Sequence, residues 1–498
     1  MDTLMDTLKV KKKNNSQLIV GCDYGIANEL SDFFSFFVPG YKFMPAYKNR
    51  VWDGKIRLFN VQSHELPVGL FPFLEEFCKP RDYRIELEHD TYYGWPNSTN
   101  DIDPKAMFDY VKNLKIPGIT IRDYQFDALC EAVHRKRGVL ISPTGSGKSL
   151  IIYTTTRYYL DHLGDKKVLI IVPTTSLVEQ MYNDFKDYGW EVEKHCHRIY
   201  SGREKITDAQ VVISTWQSIY KLPGSWFEKF GCVIGDECHG FKSKSLTSIM
   251  NKCREAEYRF GTTGTLDGTQ THELVLQGLF GKIYNVTSTK KLQENDTLAQ
   301  LDIKIALLKY PEEIRKNWGK RDYQDEIDYL VTHEGRNDFL VDLSLGLDGN
   351  TLLIFQFVEK HGKVLFDLIK DQAHSKRKVF FIAGETETSD REAIRAIVEK
   401  QKNAIIVASF GTFSTGINIR NLHNIIFASP SKSQIRVLQS IGRTLRKSDD
   451  GRPATLFDIA DDLHWRGRKN FALQHSAERI KIYSKEGFKY NIYEVDIS

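Results

Sequence analysis

The apolar run GVLIS (138–142) leads straight into Ser142-Pro-Thr-Gly-Ser-Gly-Lys-Ser149, and a helical pattern, Lys148–Leu160, follows. Strand, glycine-rich loop and helix in that order constrain the chain more than any other segment. Glycines let the backbone close around an anion, and the helix N-terminus adds the positive end of its dipole. Such a loop belongs at a strand end in a parallel sheet, whose other strands are buried on both faces and read as continuous apolar runs. Those runs are present: KVLIIV (167–172), VVIST (211–215), CVIGD (232–236) and YRFGTT (258–263), with a helical stretch at Ser176–Tyr188. A second set follows: TLLIFQF (351–357), KVFFIAG (378–384), NAIIVAS (403–409), NIIFAS (424–429) and ATLFDIA (454–460). The chain is therefore expected to be α/β, with two doubly wound parallel-sheet domains in tandem.

The remaining segments set the expected boundaries. Residues 1–105 are aromatic-rich, with turn signals at Pro39-Gly40, Asp53-Gly54 and Pro96-Asn97, and read as a small α+β domain. The first α/β domain spans 106–290 and the second 291–462. Within this region, 281–350 reads as an exit strand, a linker and the helix-forming stretch Tyr323–Leu347. Residues 463–498 read as a short, basic, mostly helical tail. A chain of 498 residues suits about three domains. With 41% hydrophobic and 27% charged residues, it is neither collagen-like nor wholly disordered. Its seven cysteines include no CxxC pair, which argues against a disulfide framework or a structural zinc site and for a reducing compartment. No apolar run approaches the roughly 18 residues of a membrane span, and no secretory leader is visible, so a cytoplasmic protein without a membrane partner is expected.

Chemistry concentrates in four places. In the loop, Ser142, Pro143, Thr144, Gly145, Ser146 and Gly147 would wrap phosphates. Lys148 would meet the β- and γ-phosphates, and the Ser149 hydroxyl would ligate magnesium. Asp236-Glu237-Cys238-His239 follows the run CVIG, where Asp236 would position Mg²⁺ and Glu237 would polarise an attacking water. In Gln439-Ser-Ile-Gly-Arg443-Thr-Leu-Arg446 the two arginines share a helix face and suit arginine fingers on a transferring phosphoryl group. Arg122-Asp-Tyr-Gln125 lies before the loop, and a Gln amide can both donate to and accept from an adenine edge. A basic–aromatic block at 41–59 holds Lys42, Lys48, Arg50, Lys55 and Arg57 against Asp53 alone, a composition that suits nucleic acid. Its alternative is a solvated rim on a local core of Trp52, Ile56 and Phe59.

In this order the motifs resemble a superfamily 2 helicase of the DExH type. They run RDYQ, SPTGSGKS, PTTSLVEQ (173–180), STWQS (214–218), DECH, TTGT (262–265), IFQFVEKHGK (354–363), ASFGTFSTGINI (408–419) and QSIGRTLR. The block VWDGKIRLF (51–59), with DFFSFFVPGYKFMPAYKNR (32–50), further resembles the UvsW-type recombination helicases of T4-like phages. That resemblance implies two RecA-like domains and an ATP- and Mg²⁺-dependent helicase acting on forked, branched or single-stranded DNA without reading its sequence. It implies fork regression, Holliday-junction branch migration and D-loop and R-loop unwinding, with recombination or replication proteins as possible partners, in a host cytoplasm. A monomer is expected. Gly416, Gln439, Arg443 and Arg446 would complete the ATP site, with His239 coupling it to DNA. Thr174, Thr175, Thr215, Ser409 and Thr412 would hold phosphates of DNA, and Lys55 and Arg57 would add contacts from the N-terminal domain. DECH in place of DEAD or DEAH, and TTGT in place of SAT, are this chain's departures. An RNA helicase, a restriction-enzyme translocase subunit and a non-hydrolysing scaffold are the rival readings. The absence of an Asp…Glu-x-Lys nuclease cluster argues against the translocase, and the intact motifs against the scaffold.

Overall fold

The computed structural model describes residues 7–88, 102–143, 145–264, 266, 270–288, 291–292, 301–318, 322–373, 377–414, 421–429, 453–485 and 488–497. They form two compact units.

The first unit begins with a small α+β domain. Strands β1 (Thr7–Lys12) and β2 (Gln17–Gly21) pair antiparallel. Strands β3 (Ser35–Phe37) and β4 (Lys55–Arg57) form a separate ribbon. Strands β5 (Glu65–Pro67) and β6 (Arg84–Leu87) complete a four-stranded sheet in the order β5-β2-β1-β6. Alternation along β1 and β2 buries Leu8, Val10, Leu18 and Val20 on one face, in a core with Leu30, Phe34, Phe71 and Phe77 from two helices.

This domain is seated firmly on the sheet that follows. The buried Arg259 guanidinium donates to Ser16 Oγ at 2.7 Å and to Met250 O at 3.1 Å. Arg137 reaches Asn15 O at 3.2 Å. A Cβ on Gly69 would lie 1.9 Å from the backbone oxygen of Gln277, so only glycine permits this approach.

The second sheet of the unit is all parallel. Its strands are β7 (Arg137–Ile141), β8 (Lys167–Val172), β9 (Cys196–Ile199), β10 (Val211–Thr215), β11 (Phe230–Asp236), β12 (Tyr258–Thr263) and β13 (Ile283–Asn285), in the order β13-β7-β12-β11-β8-β10-β9. Every residue of β10, β11 and β12 is buried, as the continuous apolar runs require of strands covered on both faces.

The second unit repeats the architecture. Strands β14 (Leu301–Lys309), β15 (Thr351–Phe355), β16 (Val379–Ile382), β17 (Ile405–Ser409), β18 (Asn424–Phe427), β19 (Ala454–Asp462) and β20 (Tyr490–Asp496) form a parallel sheet in the order β16-β17-β15-β18-β19-β14-β20. Two elements differ from the sequence reading. The expected linker contains β14. The expected tail contains the helix Phe471–Lys485 and then β20, which pairs parallel with β14. This segment is therefore part of the sheet, and its charges show why it docks. Arg479 is fully buried and grips Asp458 of β19 at 2.6–3.1 Å, and Tyr483 donates to the same carboxylate at 2.8 Å. Glu326 accepts from the backbone amides of Phe471 (3.0 Å) and Ala472 (2.7 Å), placing a carboxylate on the positive end of that helix. Breaking a buried pair leaves an uncompensated charge, so these contacts fix the segment's place.

Candidate active site

Because the first large sheet is parallel, the carboxyl ends of β7, β12, β11, β8 and β10 lie on one edge, where open α/β sheets bind ligands. That order puts the glycine-rich loop, the TTGT segment and DECH on three adjacent strands. PTTSLVEQ and STWQS follow on the next two.

The loop is shaped by its glycines. Gly145 and Gly147 adopt φ of 85° and 84°, conformations that side chains disfavour. Ser142 is fully buried, and its amide donates to Thr263 O at 2.8 Å. Ser146 Oγ donates to Pro143 O at 2.5 Å. Lys148 and Ser149 open the helix Lys148–Tyr158. Gln125 is buried beside the loop: its Oε1 accepts from the Arg122 amide at 3.0 Å, and its Nε2 occupies the space a Gly147 side chain would need. Arg122 itself donates to the Tyr124 hydroxyl at 3.0 Å.

Glu237 carries the geometry that matters most. It has φ of 51°, a left-handed conformation costly for a side-chain-bearing residue. That turn brings its carboxylate to Lys148 Nζ at 2.7 Å, across 89 residues of sequence. The other oxygen lies 3.3 Å from His239 Nδ1, which sits 3.0 Å from Thr263 Oγ1. Burial alone would push the Glu237 carboxyl up. Lys148 and His239 outweigh it and hold the group below the usual carboxylate range. Asp236 behaves oppositely: burial and the Glu237 charge raise it against the pull of Lys148. It accepts from Thr262 Oγ1 at 2.7 Å and from the Glu237 amide at 3.0 Å. Two adjacent carboxyls are thus pushed in opposite directions, Glu237 held ionised by its cationic neighbours and Asp236 raised first by burial.

The cysteine of DECH is also explained. Cys238 is fully buried, and a Cβ on residue 261 would lie 2.9 Å from its Sγ. Glycine at 261 makes room for a side chain larger than alanine. This pairing, like the Lys148–Glu237 contact, crosses distant sequence and leaves no local signal.

The hydroxyls expected to face DNA have local work. Thr174 caps the helix Thr175–Asp187 by accepting from Leu177 N, and its Oγ1 lies 3.0 Å from Ser176 Oγ. Thr215 Oγ1 lies 2.9 Å from Ser218 Oγ, and Ser409 Oγ 2.8 Å from Thr412 Oγ1. In each case a strand end runs into a helix, a long one after Thr174 and a short turn after Thr215 and Ser409. Gln217 ties the two segments of the first unit together by donating to Pro173 O at 3.3 Å. Lys55 lies over the Phe37 ring at 5.0 Å. Arg57 forms a bidentate pair with Asp53, whose carboxyl it holds down at about 2. Phe59 joins the domain core, while Trp52 donates to Lys55 O at 2.8 Å. Thr144, Gly416, Gln439, Arg443 and Arg446 lie outside the described residues.

A phosphate loop, a strand-end Asp-Glu pair and a second parallel α/β unit define the motor core of a superfamily 2 helicase. Family models extend this along the chain: "DNA helicase UvsW, N-terminal" matches residues 7–88, "Type III restriction enzyme, res subunit" 118–268 and "Helicase conserved C-terminal domain" 335–448. The chain is 35% identical, over 98% of its length and 100% of the relative's, to the ATP-dependent DNA helicase uvsW of Enterobacteria phage T4. It is 26% identical, over 68% of its length and 81% of the relative's, to the DNA 3'-5' translocase XPB2 of Sulfurisphaera tokodaii. The crystal structure of T4 UvsW superposes with a TM-score of 0.51 at 33% identity, covering 99% of this chain and 100% of that one. This chain belongs to the UvsW helicase family. Among the described residues, no helix is long and apolar enough to cross a membrane.

Proposed function

We propose that the chain is an ATP-dependent DNA helicase that remodels branched DNA: it regresses forks, migrates Holliday junctions and unwinds D-loops and R-loops. The observation that carries this is the Lys148–Glu237 pair at 2.7 Å in a chain similar along its whole length to a DNA helicase. In the site as it stands, lysine and carboxylate neutralise each other. ATP phosphates offer Lys148 a stronger partner, and its transfer to them would free Glu237 to accept a proton from water at the γ-phosphate. Each half of the pair therefore becomes available when substrate arrives.

Magnesium fits this site. Asp236 is a buried strand-end carboxylate beside the phosphate loop, held by Thr262 Oγ1 and the Glu237 amide, and Ser149 opens the adjacent helix. Among the described residues no group of three or more His, Cys, Asp or Glu gathers as a metal site. Mg²⁺ needs no such cage, being held by one or two protein groups, phosphates and water. When bound it would neutralise phosphate charge. Gln125, packed on Gly147, would sense the nucleotide beside the loop, and the His239–Thr263 contact would link the ATP side of the sheet edge to the TTGT segment.

For DNA, the bonds of Thr174 to Leu177 N and of Ser409 to Thr412 N point to first-turn backbone amides, held in place by these hydroxyls, as the groups that meet the phosphates, with the Thr215–Ser218 hydroxyl pair beside them. Such contacts position a strand and read no bases. Lys55 would add a phosphate contact from the N-terminal domain. Lys55→Ala is expected to lower the slope of log affinity against log salt by about one, the effect of one phosphate contact. Arg57→Ala should change it less, because Asp53 already neutralises the guanidinium. Salt titrations of both variants on fork DNA measure this, and equal loss in the two would contradict it. Incubating the protein and ATP with a four-way junction should yield resolved duplex arms. A junction left intact under conditions that support DNA-stimulated ATP hydrolysis would overturn the remodelling reading.

A further inference from the structure

The ribbon β3–β4 carries an excursion, residues 38–54, that the domain core does not explain. Residues 38–53 include no buried residue, and none of them contributes to the N-terminal core. The excursion is nevertheless well built. Gly40 and Gly54 turn the chain at φ of 74° and 85°. Tyr41 stacks on Phe37 at 4.7 Å and meets Tyr47 edge-on at 4.8 Å. The Tyr41 ring also lies where a Gly54 side chain would stand.

This scaffold presents two apolar side chains to water. Phe43 is 80% exposed and Val51 82%. Single exposed hydrophobes are ordinary, but two on one ordered, coreless protrusion ask for an apolar partner. Lys42, Lys48 and Arg50 stand among them in the sequence and, with Tyr47, Val51, Trp52 and Asp53, line an open cleft of about 500 Å³, where the Asp53 carboxylate is already paired with Arg57. A partner that is flat and apolar on one side and anionic on the other is an unstacking nucleotide. The protrusion is also fixed to the motor, since Arg259, Arg137 and Gly69 lock its domain onto the sheet that carries the phosphate loop.

We propose that Phe43 and Val51 form a strand-separating wedge. In this reading the two side chains press on the terminal base pair at a DNA branch point, while Lys42, Lys48 and Arg50 hold the phosphates of the diverted strand. Apolar side chains wedge between base steps in other proteins and unstack them, and cationic grooves with aromatic platforms hold single strands. The inference rests on the DNA-remodelling function and assigns these residues the mechanical step.

The test uses the full chain and a DNA fork with 2-aminopurine in the first pair at the branch. Without nucleotide, binding should raise the fluorescence at that pair and leave an internal probe unchanged. The double variant Phe43→Ala/Val51→Ala, altered only at exposed positions, should lose the branch signal. It should keep DNA-stimulated ATP turnover within about twofold and separate about tenfold fewer base pairs per ATP, as for a wedge that unstacks and does not anchor. Phe43→Trp should restore both signal and unwinding. Unchanged fluorescence and unwinding in the double variant would overturn the proposal. So would equal losses of affinity and unwinding, which would mark a plain grip, or a wild-type complex with no fluorescence change. A wild-type protein that gives the branch signal but hydrolyses no ATP on any DNA would instead defeat the helicase reading and leave the wedge standing.

Discussion

Glu237→Gln is expected to cut ATP turnover by about 10²–10⁴-fold, the usual worth of a positioned general base, with ATP and DNA binding retained. The amide keeps the side chain's shape in a turn that the backbone already strains at φ 51°, but it cannot accept a proton. Lys148→Ala should lose about 10²–10³-fold in turnover, the scale of one removed charge-stabilising donor, and should also weaken nucleotide binding. The two variants therefore separate. The glutamine variant should trap a bound ATP state, and the alanine variant should not. The Lys148 variant leaves Glu237 beside Asp236 without its cationic partner, so its apo form should bind protons more readily near the site. Steady-state hydrolysis with saturating DNA, paired with direct ATP binding, reads both effects. Near-normal turnover in either variant would break the assignment.

Arg443→Ala and Arg446→Ala carry the second large expectation. Both belong to the stretch between β18 and β19. Because those strands are parallel, the stretch leaves from the carboxyl edge of the second sheet, the edge from which β17 also presents Ser409. The departure point is firmly held: Arg336 donates to Ala428 O at 2.7 Å while its guanidinium is paired with buried Asp461. Arginine fingers are worth about 10³–10⁵ in rate, and the lower end is expected here because Lys148 remains in place. ATP affinity should stay within about tenfold, since a finger acts on the charge of the transition state more than on bound substrate. Loss of affinity with unchanged turnover at saturation would make these residues ground-state ligands.

What could be read from sequence follows from what leaves a local pattern. The buried central strands announced themselves because KVLIIV and CVIGD are apolar on both faces, and the phosphate loop because its glycines sit between strand and helix. Strand β14 was not expected because LDIKIALLK lacks the continuous apolar run of the other sheet strands and lies inside an expected linker. Strand β20 escaped because YNIYEVD is mostly exposed. The stretch 463–498 reads as a basic tail, and only the pairing of Arg479 with Asp458, 21 residues earlier, shows this arginine to be interior. The same limit hid the Lys148–Glu237 pair and the fit of Cys238 against Gly261. The local bonds of the hydroxyls expected to touch DNA, a cap at Thr174 and a hydroxyl pair at Thr215, depend on the turn that follows each strand and leave no pattern in the sequence.

The most direct test of the account compares ATP hydrolysis by the full chain with single-stranded, duplex, forked and four-way DNA, and with the same fork made of RNA. Strong stimulation by DNA is expected, greatest with forked and four-way substrates, insensitive to base sequence and lost in Glu237→Gln. Equal stimulation by RNA, or hydrolysis indifferent to branched DNA, would contradict it.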